Sequence, residues 1–155
     1  MYPSQHLILG IAFATILFNI FPQITLIGFF LIVLSAFFID VDHYLFYVYK
    51  NKNISLKNAY KWFIKKEKKY KKLSIKERKK YKNDIFIFHG IEFWIFLAIL
   101  SFIHNYFFFI FIGIMFHMFL DFAFPNIGEF SHNKISQIYN LRINKKKREF
   151  IIHKE

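Results

Sequence analysis

The chain has 155 residues, of which 55% are hydrophobic and 23% aromatic, with 24 Phe, no Cys and a formal net charge of +12. That length suits one domain, and the lack of Cys excludes disulfides and thiolate metal sites. A soluble domain is itself about 45–50% apolar, so the distribution of the apolar residues, not their total, separates the classes.

From Leu7 to Ile39 no residue is charged, and only Thr15, Asn19, Gln23, Thr25 and Ser35 are polar. A bilayer span takes roughly 20 apolar residues, so this run is too long for one helix and suits two. Pro22 in "NIFPQIT" (Asn19–Thr25) marks the turn between them, because proline lacks an N–H and disfavours helix in the residue before it. A second run, Ile85–Phe124, is broken at "FIHNYF" (Phe102–Phe107) by His104 and Asn105, and Pro125 ends it. The chain therefore reads as four spans, at about 5–21, 24–46, 85–103 and 106–124. Residues 1–49 hold no Lys or Arg, so the basic start of a cleaved signal peptide is missing and the first helix is expected to stay in the mature protein.

Between spans two and three, Lys50–Asp84 holds 15 of the 22 Lys and Arg, against three acids, Glu67, Glu77 and Asp84. Ser74 and Glu77 in "SIKE" form a capping box that predicts a helix start. Leu56, Tyr60, Trp62, Phe63, Tyr70 and Leu73 give the earlier part a loose amphipathic pattern, as expected for a basic helix lying on an anionic membrane surface. The tail, 126–155, carries the other seven basic residues. Basic loops stay cytoplasmic, and four spans place the 50–84 loop, the tail and the N-terminus on that side. The expected fold is all-α: an integral inner-membrane four-helix bundle over 1–125, interrupted by a basic amphipathic cytoplasmic loop and followed by a basic cytoplasmic tail.

On this topology the ionisable residues converge. His6 opens span one; Asp40, Asp42 and His43 close span two; His89 and Glu92 open span three; His117 and Asp121 lie near the end of span four. All eight fall at the inner end. A charge at the centre of a span costs about 2.5–3.5 kcal/mol on insertion scales, and less near the interface, so such a layer should pair, bind a cation or face water. His117 and Asp121 share a helix face at i, i+4; His89 and Glu92, and Asp40 and His43, do so at i, i+3. Asp42 points about 200° away from Asp40 on an ideal helix, and joins the layer only if the helix end is loosened. Helical bundles converge such pairs on metal ions. Imidazole and carboxylate without thiolate suit Zn, Mn or Fe.

The ordered motifs "HLILG" (His6–Gly10), "DVDH" (Asp40–His43), "HGIE" (His89–Glu92) and "HMFLD" (His117–Asp121) resemble the membrane-bound metal-dependent hydrolases of the LexA-regulated inner-membrane type. The resemblance covers roughly residues 5–125. Asp-x-Asp-His and His-x-x-x-Asp match residue for residue, whereas Glu92 stands where a second histidine of the middle motif is expected. A more distant similarity is to zinc-dependent phospholipases C, which implies phosphoester hydrolysis by analogy. On this basis one or two divalent ions, zinc first and manganese or iron as alternatives, are expected on His6, Asp40, His43, His89, His117 and Asp121. Glu92 or Asp42 is the expected general base, and the expected substrate is a lipid or lipid-linked phosphoester. Anionic lipid head groups are the expected partners of the basic loop, and no specific nucleic acid is expected. Two rival readings are a metal or ion transporter, for which polar residues are sparse in the outer half, and a metal-stabilised anchor whose basic loop binds anionic lipid or nucleic acid.

Overall fold

The computed structural model describes residues 3–124 and 136–150, and among these it is helical, with no strand beyond an isolated bridge between Tyr81 and Arg148. Helix α1 spans Pro3–Ile20, α2 Leu26–Phe38 and α3 Val41–Asn51. In the basic loop, α4 spans Leu56–Lys71 and α5 Ile75–Arg78. A single 3-10 turn at Ile87–His89 precedes α6 (Ile91–Ser101), α7 (Asn105–Ala123) and α8 (Gln137–Asn144).

The turn signals lie where local chemistry puts them. Pro22 falls between α1 and α2, and the Thr25 hydroxyl caps α2 by accepting from Gly28 N–H. The Ser74–Glu77 capping box starts α5. His104 caps α7 through its ring, with Nδ1 accepting from Tyr106 N–H.

Two segments are long and apolar enough to cross a membrane: Leu26–Asn51, which joins α2 and α3, and Asn105–Ala123. Only 33% of the first and 28% of the second is buried inside the chain. Large apolar side chains such as Phe30, Phe38, Phe102, Ile103 and Phe119 are exposed. At about 1.5 Å per residue, the 18 residues of α1 reach roughly 27 Å. The 11 residues of α6 reach only about 17 Å, short of a hydrocarbon core of roughly 30 Å. The sequence reading of a helix over 85–103 is thus corrected. Gly90 is extended (φ −88°, ψ 143°), which separates the 3-10 turn from α6.

Helix α7 packs along α2 and α6, and α1 lies on α2. Small residues set the approach. A Cβ on Gly113 would lie on the Ile32 carbonyl oxygen and the Ser35 hydroxyl, and one on Gly28 would meet the Phe109 ring at 2.7 Å. A Cβ on Gly10 would stand 3.3 Å from that of Ala36. The core that results has two parts. Ala14, Ile24, Ile32, Val33 and Phe109 join α1, α2 and α7, and Ile39, Leu97 and Ile114 join α2, α6 and α7.

The 24–46 span is not one uninterrupted helix. It breaks at Ile39–Asp40, where His43 N–H bonds the Asp40 carbonyl in a tight i−3 turn before α3 resumes. At the far end of α3, Lys52 takes a left-handed conformation (φ 51°, ψ 39°) that turns the chain toward α4. Ser55 caps α4 by accepting from Asn58 N–H. Trp62 of α4 packs edge-on against Tyr47 of α3, and Lys66 lies over the Trp62 ring while pairing with Asp84.

Candidate metal centre

The helix break decides what the "DVDH" motif can do. With α2 and α3 offset at Asp40, both aspartates turn inward, and Asp42 is buried. The loosened end that sequence reasoning required for Asp42 is present. Seven residues from five segments meet: His6 of α1, Asp40 of the α2–α3 break, Asp42 and His43 of α3, His89 of the 3-10 turn, and His117 and Asp121 of α7.

Asp40 stands at the middle. Its Oδ1 is 3.6 Å from His89 Nε2, 3.6 Å from His117 Nε2 and 4.0 Å from His43 Nε2. Asp121 spans two imidazoles, with Oδ1 3.1 Å from His6 Nε2 and Oδ2 3.3 Å from His117 Nε2. The His6 and His117 rings stack at 3.8 Å, and both are fully buried.

Two of the histidines have their tautomers fixed from behind. The Ala36 carbonyl, 2.7 Å from His117 Nδ1, can only accept, so Nδ1 carries the proton. The Asp42 carboxylate accepts from Phe88 N–H at 3.1 Å and sits 3.0 Å from His89 Nδ1, which therefore also donates. In the neutral rings, both Nε2 atoms then present a lone pair to the centre. Both are buried and make no hydrogen bond among the described residues. A buried nitrogen lone pair aimed at carboxylate oxygens is costly unless something electropositive lies between them. A proton or a divalent cation is such a group, and an imidazole held by a carboxylate or carbonyl on its far nitrogen is the usual arrangement of a metal-ligating histidine. The donor set fits a borderline cation such as zinc, manganese or iron. Three overlapping groups could each hold an ion: His6, Asp40 and His117; Asp40, His43 and His89; and His89, His117 and Asp121.

The two expected general bases, Glu92 and Asp42, are placed differently. Glu92 belongs to none of these groups among the described residues. Its carboxylate accepts from the Ser136 hydroxyl at 2.5 Å and from the backbone N–H groups of Gln137 and Ile138 at 3.1 Å each. It thereby caps α8 of the tail, where an anion meets the positive end of the helix. The structure therefore places Glu92 apart from the cluster, with its carboxylate bonded to the tail. Asp42 Oδ2 faces His89 and the Phe88 amide and so orients the His89 ring, while its buried Oδ1 lies 3.9 Å from His43 Nε2.

The docked tail was not anticipated. Its sequence signals were small: Ser136 before a helical stretch, with Asn140 and Asn144 on one face at i, i+4. Asn83 donates from its side chain to Asn140 Oδ1 and from its backbone to Asn144 Oδ1, both at 2.8 Å. Gln137 Oε1 accepts from Phe86 N–H, and the Phe86 ring stacks on His43 at 3.8 Å. Gly90 leaves room for this docking, since a Cβ there would meet Gln137 Cγ at 2.6 Å. Replacing Glu92 by Gln removes the charge and one of two equivalent acceptors. Amides of 137–144 are then expected to exchange with deuterium at least 10-fold faster than in the wild type, with the exchange of α7 unchanged. Unchanged protection of 137–144 would show that Glu92 does not hold the tail.

Comparison of the chain with protein-family models, curated proteins and solved structures finds no match. The arrangement of histidines and aspartates therefore carries the functional reading by itself.

Proposed function

We propose that the chain is an integral membrane metalloprotein of the hydrolase class, acting on a phosphoester in a lipid or lipid-linked substrate at the cytoplasmic face. The observation that carries this reading is the pair of buried, unpartnered Nε2 atoms of His89 and His117 directed at Asp40. In this reading α1, the α2–α3 segment, α6 with its flanking turns, and α7 cross or enter the bilayer as a four-helix bundle. The lysine-rich segments stay on the cytoplasmic side, the side on which the cluster lies.

A divalent ion there would lower the pKa of a bound water toward about 7 and polarise a phosphoryl oxygen. The residues do the rest. His6 and His117 form a buried wall, and Asp42 and the Ala36 carbonyl fix the rings of His89 and His117. Asp40 and Asp121, each 20% exposed, and His43, 26% exposed, form the edge that a phosphoester and water can reach. Lys57, Lys61, Lys65 and Lys68 line one face of α4 and Lys72 follows at its C-cap, a surface suited to anionic head groups at about 1 kcal/mol per basic residue. The transporter reading gains nothing in the outer half, where Thr15 and Asn19 hydrogen-bond carbonyls of their own helix.

The test is phosphate-ester cleavage by the purified protein in mixed phospholipid–detergent micelles, loaded in turn with Zn, Mn and Fe. Cleavage is expected to exceed that of a chelated sample by at least about 100-fold, the scale of positioned acid–base and metal chemistry. Asp121→Asn is expected to reduce it to the chelated level. Equal rates in loaded and chelated protein with all three metals would overturn the hydrolase reading.

A further inference from the structure

We infer that the cluster is a two-ion centre bridged by Asp40, with His6, His117 and Asp121 around one position and His43 and His89 around the other. The inference rests on the metal-binding reading above and deepens it.

The three ligand groups overlap pairwise in a single residue: Asp40, His117 or His89. An imidazole nitrogen has one lone pair and serves one ion. The second nitrogen of His117 is committed to the Ala36 carbonyl, and that of His89 to Asp42. Neither ring can therefore belong to two ions. A carboxylate has two oxygens and about four lone-pair sites, so it can belong to both. Among the three pairings, only the one that shares Asp40 uses each ring once.

Distances agree with this division. Ligand atoms around one ion at about 2.0–2.2 Å lie up to roughly 4 Å apart. On the first side, His6 and Asp121, and His117 and Asp121, are 3.1 and 3.3 Å apart, and His117 is 3.6 Å from Asp40. On the second, Asp40 Oδ1 is 3.6 Å from His89 and 4.0 Å from His43. The first position draws on His6, His117 and Asp40, with the two oxygens of Asp121 on the two imidazoles. The second draws on Asp40, His43 and His89, with Asp42 Oδ1 3.9 Å from His43 Nε2. His43 belongs to the second group alone, so it is the residue that distinguishes two ions from one.

The test is metal stoichiometry after loading with Mn and removal of free ion, together with the Mn paramagnetic resonance spectrum. The wild type is expected to hold two ions per chain with a spin-coupled multiline spectrum. His43→Phe keeps an aromatic ring on Phe86 and removes the nitrogen; it is expected to hold one ion with an isolated six-line spectrum. If His43→Phe does not fold, the wild-type spectrum decides alone. One uncoupled ion in the wild type would overturn the two-ion inference and leave the metal-binding reading standing. No bound ion in the wild type would overturn both.

Discussion

Chelation of divalent cations is expected to lower the melting temperature of the detergent-purified wild-type protein by roughly 5–15 °C. The basis is linkage: a ligand at 100 to 1,000 times its dissociation constant stabilises the native state by about 2.7–4.1 kcal/mol, and each kcal/mol moves the melting point of a chain this size by about 2–4 °C. Without a cation, Asp40, Asp42 and Asp121 and four imidazoles converge with unpartnered buried nitrogens, and only the folded state carries that cost. In the unfolded chain the same groups are solvated. His117→Ala removes the ring that contacts both Asp40 and Asp121, so chelation should shift the variant by no more than 1–2 °C on the same scale. Differential scanning fluorimetry with and without chelator checks both proteins. An equal shift in wild type and variant would place the stabilising ion elsewhere.

Gly113→Val is expected to be as severe by a different route, lowering the melting temperature by about 5–12 °C whether or not metal is present. The α2–α7 approach brings Gly113 onto the backbone of Ile32, and backbone cannot rotate out of the way as a side chain can. The helices must separate, which costs about 1–3 kcal/mol for an overpacked core and more where the main chain is the obstacle. Separation would also draw the Ala36 carbonyl away from His117, because Ala36 is one helical turn beyond Ile32. Loss of thermal stability with weakened metal retention is the expected pair of results, read by melting curves and bound-metal content. A variant as stable as the wild type would refute the close packing of α2 on α7.

Much of this was legible in the sequence because it is local. Pro22, the Ser74–Glu77 box and the His104–Asn105 break each act on neighbours a few residues away, and the structure has its turns and caps at those places. The i, i+4 pairing of His117 and Asp121 survived intact because α7 is regular there. The direction of Asp42 was not legible, since it depends on a helix break that helical periodicity does not contain. The role of Glu92 was not legible either. Its partners lie 44 to 46 residues further along, in a tail whose composition is basic and polar. A carboxylate one turn from a histidine looks like half of a metal motif until the helix that it caps is in place. The third span shortened for a similar reason: Asp42 takes the Phe88 amide, and Gly90 permits the extended step into α6.

The rival weight of membrane and metal can also be seen in particular residues. The exposed Phe30, Phe38 and Phe119 lie on segments long and apolar enough to cross a membrane, where lipid would cover them. Lipid does not account for the buried His6 and His117, because stacked imidazoles bring apolar surface together at the expense of polar atoms. His6 Nδ1 has no partner among the described residues, and a wall built for packing alone would use Phe, as the neighbouring Phe13–Phe116 stack does.

A divalent ion held by this layer would show in an anomalous difference map at the metal edge, from crystals of the metal-loaded full chain. Density is expected within ligand distance of Asp40 and of His117 or His89, with Glu92 outside the coordination sphere. A map with no peak at the cluster, or with peaks confined to other histidines of the chain, would contradict binding at this layer.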